Sequence, residues 1–333
     1  MLHKLRHFLR FRKFTSIHIH GKNHILLFST PRSGSTWLLE MIAVQPRMKT
    51  VREPYNIRLQ PVRNMLGLRN WEELYCDENF PTIVRYLKNF RYNLRVDSGF
   101  KREKPFSDTW HPVTNRMVYK ILHSMENRVE QLKEELEAKA LILVRHPVPV
   151  TLSREELPRL KAFQRSEFRH HFNQQQLLLA ETITQNGTEF EKGIVSWCFQ
   201  NTLLLNSGQG NLIVTYEEMV TNRACMISKI ASFLKLPDPK KMTRRSKKAS
   251  GSTEKSTKKN QRLLKKVANG AAESQQLIEK WKQQTTPEMI EQAQHILDVF
   301  EIDIYRASEF MPAERFLLCK DGKAEQSTIK PTD

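Results

Sequence analysis

Residues 24–40, HILLFSTPRSGSTWLLE, limit what this chain can become more than any other stretch. Ile25, Leu26, Leu27 and Phe28 form an apolar run of the length of a short buried strand. Pro31 breaks it, and a helical pattern starts near Ser35 with Trp37, Leu38, Met41 and Ile42 on one side. Strand, tight polar loop, helix is the arrangement in which an α/β protein holds a phosphate. The first N–H groups of the helix have no partner inside it, and that end carries about +0.5 charge. Arg32 adds a full positive charge, and Ser33, Ser35 and Thr36 add hydroxyl groups.

The spacing can be set against the nucleotide-binding P-loop, G-x-x-x-x-G-K-[ST]. With Gly34 on the second glycine, Thr36 falls on the Ser/Thr position, but Ser35 replaces the lysine and Ser29 the first glycine. The missing lysine is the one that reaches the β/γ-phosphates of a triphosphate. A loop with an arginine ahead of its glycine suits a single phosphate better.

Further apolar runs mark further strands. Met117–Leu122, Ala140–Val144 and Asn211–Thr215 read as core strands, and Met48–Val51 as a short extended piece. Helical patterns cover Glu126–Lys139, most of 165–210, Thr221–Leu236 and Pro287–Phe300, and residues 71–90 are helical in composition. Strand and helix alternate, which predicts an α/β chain with a central parallel sheet flanked by helices on both faces. Residues 240–266 hold twelve Lys/Arg and one acid, Glu254, and read as a basic flexible loop.

Arg145 closes the ALILV strand, and Ser153 lies eight residues on. An arginine at a strand's carboxyl end sits in the crevice where open α/β sheets bind ligands, and its planar fork suits a phosphate dianion. TPRSGSTWL resembles the 5′-phosphosulfate loop of the sulfotransferases that use 3′-phosphoadenosine 5′-phosphosulfate (PAPS). LVRHPVPVTLSR resembles their 3′-phosphate segment, whose arginine and serine are also eight apart. SWCFQNTLLLN and NLIVTYEEMV resemble the family's Trp-containing helix and strand-Tyr-Glu segment, so the likeness runs from about residue 24 to 300.

The resemblance implies a P-loop-like three-layer fold over residues 23–310; composition marks 1–22 as a basic N-terminal arm and 311–333 as a C-terminal tail. It implies PAPS as sulfuryl donor and a hydroxyl-bearing acceptor, with no metal. Arg32, Ser33, Gly34, Ser35, Thr36 and Trp37 would hold the 5′-phosphosulfate end, and Arg145 and Ser153 the 3′-phosphate. The segment SGSTEKSTKKN stands where the family has its cofactor-closing loop, with Ser252, Lys255 and Lys258 as candidates. Sulfuryl transfer also needs the acceptor hydroxyl deprotonated as it attacks. Glu53, 21 residues after Arg32, matches the base position of tyrosylprotein sulfotransferases. His123 is a near match to the histidine of cytosolic-type members, one residue late, and that shift turns it to the other strand face. Glu53 is the preferred base. Lys120 fits either version as the cation that steadies developing charge.

A net charge of +18 favours an anionic partner. Two other classes therefore stay in view. A P-loop kinase or NTPase would need a strand-end carboxylate for Mg²⁺, where NLIVTYEE offers only Glu217. A non-enzymatic nucleic-acid binder would use the 240–266 loop and the basic N-terminus; no specific nucleic-acid motif accompanies them. Cys76, Cys198, Cys225 and Cys319 form no metal-site spacing or dense disulfide framework. They point to a reducing, cytoplasmic setting with room for one disulfide. The N-terminal MLHKLRHFLRFRKF is a solvated basic arm, a presequence or a weakly membrane-contacting surface helix.

Overall fold

The computed structural model describes residues 16–19, 21–90, 107–248 and 271–319. In chain order the first half contains β1 (Ile17–His18), β2 (His24–Ser29), α1 (Ser35–Ala43), β3 (Met48–Arg52), α2 (Gln60–Leu66) and α3 (Phe80–Asn89). There follow β4 (Val113–Thr114), β5 (Arg116–Ile121), α4 (Val129–Glu135), β6 (Ala138–Val144) and α5 (Pro147–Leu152). The second half is largely helical: α6 (Leu160–Arg165), α7 (Gln174–Asn186), α8 (Glu189–Leu205), then β7 (Leu212–Thr215), α9 (Tyr216–Thr221) and α10 (Arg223–Leu234). It ends with α11 (Pro239–Ser246), α12 (Ala271–Glu279) and α13 (Pro287–Val299).

β2, β3, β5, β6 and β7 form one parallel sheet in the order β3-β5-β2-β6-β7. The apolar run that opens the chain is its central strand, with Leu26 opposite Tyr119 of β5 and Ala140 of β6. Successive side chains of β2 face opposite ways, so the strand feeds two cores. Leu26 and Phe28 pack with Tyr119, Ile142, Trp197 and Phe199 under α8. Ile25 and Leu27 pack with Leu38, Met41 and Ile42 of α1 and Met226 and Ile230 of α10. A strand buried on both faces needs to be apolar throughout, which is why the run lacks alternation.

Local chemistry sets the helix ends. Asn173 with Gln176, and Thr188 with Glu191, close reciprocal capping boxes at the starts of α7 and α8. The helix expected over 126–139 is shorter. Glu126 is taken as the buried partner of Arg159, and Glu137 adopts a positive φ of 49° that ends the turn. The helix expected over 221–236 is α10; a separate short helix, α9, capped by Thr215, precedes it and ends at a break at Asn222. The basic segment is not all loop: Asp238 caps α11, which runs through Ser246. The remainder of that segment from residue 249 lies outside the described residues.

The ends of the domain are tied down. β1 pairs with β4 in a small second sheet, so the arm joins the fold at residues 17–18. Cys225 and Cys319 form the one disulfide for which the sequence left room, across 94 residues, while Cys76 and Cys198 are free thiols. The chain after α13 is docked on α9: the N–H groups of Leu318 and Cys319 donate to Glu218 at 2.9 and 3.0 Å. No helix among the described residues is long and apolar enough to cross a membrane.

Candidate active site

All five strands of the parallel sheet deliver a residue of interest at their carboxyl ends. β2 leads into Arg32–Thr36, β3 into Glu53, β5 into Lys120 and His123, β6 into Arg145, and β7 into Tyr216. Ligands bind in that crevice in open α/β sheets, at the point where chain connections diverge to the two sides. Here β2 is that point, since it is followed in sequence by edge strand β3 on one side and flanked by β6 on the other.

The loop after β2 is shaped for an anion. Arg32 and Gly34 both take positive φ, 75° and 87°. Gly34 begins α1 without any side-chain cap, and no acid lies in the first helical turn. Anion-accepting N–H groups and positive helix-end charge are therefore uncompensated. The Ser33 hydroxyl is buried with no partner. Arg145 crosses from β6 to this loop, its Nη1 donating to the Arg32 carbonyl at 2.9 Å, and its buried Nε has no partner. Its guanidinium lies 4.4 Å from the centre of the Tyr216 ring. The same ring presses on Gly34: a Cβ there would come within 2.7 Å of it. The phosphate loop, Tyr216 and Arg145 thus form one packed unit. These unpaired donors fit an anionic group such as a phosphate.

Beside the loop, Lys120 is buried and bridges two groups. Its Nζ lies 2.8 Å from Glu53 Oε1 and donates to Thr36 Oγ1 at 3.2 Å. The other Glu53 oxygen is 3.6 Å from His123 Nε2. Glu53 reaches this position through a left-handed φ of 49°, with its N–H donating to the Lys120 carbonyl at 2.8 Å. Burial pushes the Glu53 carboxyl up, but His123 and Lys120 more than reverse it and hold it well below the usual carboxylate range. Burial lowers His123 to about 4 despite Glu53, so the ring is neutral at pH 7. Burial likewise lowers Lys120, partly offset by Glu53. The nearby arginines do not compete for Glu53: Arg52 lies 4.0 Å from Glu40, and Arg58 pairs with Glu156 at 2.6 Å. Glu53 and His123, alternatives in sequence, are neighbours in space.

Other expected residues fare differently. Ser153 is the C-cap of α5 and gives its hydroxyl hydrogen to the Val150 carbonyl at 2.9 Å. Trp37 donates to the Ser246 carbonyl at 3.2 Å, linking α1 to α11. Ser252, Lys255 and Lys258 lie outside the described residues. Glu217, the one carboxylate a kinase reading could use, accepts from the His146 N–H at 3.1 Å and the Tyr305 hydroxyl at 2.6 Å. Its acidity is lowered by burial, and its role is structural. No group of three or more potential metal ligands occurs among the described residues. Tyr216 carries no expected role from its sequence context, because an aromatic after a strand reads as core.

The sulfotransferase domain family matches residues 22–300. The chain belongs to that family. As a sulfotransferase it has the fold expected from its sequence, a parallel sheet covered by helices. Similar solved structures include the sulfotransferase domain from the Synechococcus PCC 7002 olefin synthase, at 17% identity and TM-score 0.45, covering 88% of this chain and 100% of that one. The mouse sulfotransferase SULT7A1 complexed with PAP aligns at 16% identity and TM-score 0.40, over 84% and 85% of the two chains. No curated protein sequence matches this sulfotransferase.

Proposed function

We propose that this sulfotransferase uses PAPS as donor and moves its sulfuryl group to an acceptor hydroxyl, with Glu53 as general base. The observation that carries the reading is the contact between two anion grips. Arg145, from the 3′-phosphate segment, hydrogen-bonds the loop that would receive the 5′ end, while Lys120 joins that loop to Glu53. A nucleotide held at both ends would put its reacting end beside an ionised carboxylate.

When bound, the donor supplies a sulfuryl group on a phosphate leaving group. Ser33, Thr36 and the free N–H groups of α1 would hold that end, and Arg145 the 3′-phosphate. Glu53 takes the proton of the acceptor hydroxyl as its oxygen bonds to sulfur and the bridging S–O bond breaks, the electron pair leaving with the phosphate. Lys120 and Thr36 face the charge that gathers on the bridging oxygen. An anion at the loop competes with Glu53 for Lys120, so donor binding raises the basicity of a carboxylate otherwise held strongly acidic. His123, neutral at working pH, steadies the second Glu53 oxygen.

Glu53→Gln tests the assignment. It keeps the shape and removes the base, so kcat should fall roughly 10²–10⁴-fold, with PAP (3′,5′-adenosine bisphosphate) affinity changed only slightly in calorimetry. His123→Gln should cost much less. If His123→Gln is the inactive variant and Glu53→Gln is not, the base is His123.

A further inference from the structure

We propose that the acceptor carries an anionic group, such as a carboxylate, close to its reacting hydroxyl, and that Arg154 binds it. The proposal deepens the sulfuryl-transfer reading and rests on it. Arg58 and Arg154 both reach Glu156, one at its carboxylate and the other at its carbonyl, and Arg159 donates to the carbonyl of Leu122, next to His123. The cluster therefore borders the Glu53–His123 pair, and Arg58 follows Glu53 by five residues.

Two of the three charges are answered. Arg159 meets Glu126 at 2.7 Å, the Tyr75 hydroxyl and Gln200 at 2.8 Å each, and the Leu122 carbonyl at 3.0 Å. Arg58 meets Glu156 at 2.6 Å. Arg154 has no acid within ion-pair distance among the described residues. Its Nη1 is shut off from solvent without a partner, and its Nη2 reaches only the Glu156 carbonyl, at 3.5 Å. A cation with one N–H closed off and unpaired, and with no counter-charge beside it, is costly to keep. Burial, with Arg159 and Arg58 adding repulsion, lowers its pKa to about 9. An anion arriving at the partly exposed guanidinium would supply the missing counter-charge.

The test uses the full chain saturated with PAP and titrated calorimetrically with two matched pairs: para-hydroxyphenylacetate and its amide, and glycolate and its amide. Wild type should bind at least one carboxylate roughly ten- to a hundredfold more tightly than its amide, the scale of hydrogen bonds to a charged group. Arg154→Gln should erase that preference, Arg154→Lys should keep part of it, and PAP affinity should stay within about twofold in both. No preference in wild type overturns the proposal. So does an Arg154→Gln variant that keeps the preference, or that loses PAP affinity, which would make Arg154 a nucleotide residue. A wild type that fails to bind PAP overturns the donor reading itself, and this proposal with it.

Discussion

Position 34 meets two requirements that only glycine satisfies together. Its φ of 87° is open to glycine at no steric cost, and its α-carbon abuts the Tyr216 ring that carries the Arg145 guanidinium. Gly34→Ala should therefore do more than strain the backbone. The ring must move, and Arg145 moves with it. We expect a stability loss of about 1–2 kcal/mol and PAP binding weakened by roughly tenfold or more, read by denaturant titration and calorimetry. Stability lost with binding intact would mean that Tyr216 braces the loop without orienting Arg145. At this scale much of the site was legible. Arg32, Lys120, Arg145 and Glu53 are polar residues placed where apolar strands end, at the crevice in which open α/β sheets bind ligands. Ser153 was less so, because eight residues of spacing do not say whether α5 continues or stops; it stops one residue earlier and Ser153 caps it.

The elements that were easy to read are those whose burial is uniform. β2 and β6 are apolar because both faces are covered, and they stand out without an alignment. β3, MKTVR, was seen only as an extended piece because it is an edge strand with Lys49, Thr50 and Arg52 partly open. Helix ends were harder, since they depend on partners distant in sequence, as Glu126 does on Arg159. The same applies to the disulfide. It fastens α10 to the chain after α13 and cannot be deduced from spacing alone. Closing a loop of 94 residues restricts the unfolded chain strongly. Cys319→Ser should cost about 2–4 kcal/mol in chemical denaturation. The same protein measured with and without reductant should show a comparable gap, and equal midpoints would mean that the bond contributes nothing in solution.

For the whole molecule, buried neutral imidazoles set the response to acid. His123 falls from 6.5 to about 4 and His146 to about 3, both chiefly through burial. His146 takes the N–H of Val148 on one nitrogen and faces the Arg306 carbonyl with the other, so its neutral form is built into the start of α5. Unfolded histidines gain protons below pH 6.5 while the folded ones do not. Protons therefore favour unfolding, and stability falls as pH drops from 6.5 towards 4, by about 1.4 kcal/mol per pH unit for each ring. Glu53, held low, adds a loss of the same sign further down, and Glu217, pushed up by burial, opposes it. Denaturant titrations at several pH values should show this slope, and His146→Gln should make it shallower. An unchanged slope in that variant would contradict the assignment.

The crevice at the carboxyl end of the sheet gathers the ends of all five strands, and the account depends on one nucleotide being gripped there at both of its ends. Titrating PAP into wild type and Arg145→Ala by calorimetry tests this most directly. The account predicts one PAP per chain and an affinity about 2–3 kcal/mol weaker in the variant, the scale of hydrogen bonds to a charged group. Equal affinities in the two proteins, or a wild type that binds Mg²⁺-ATP and ignores PAP, would contradict it.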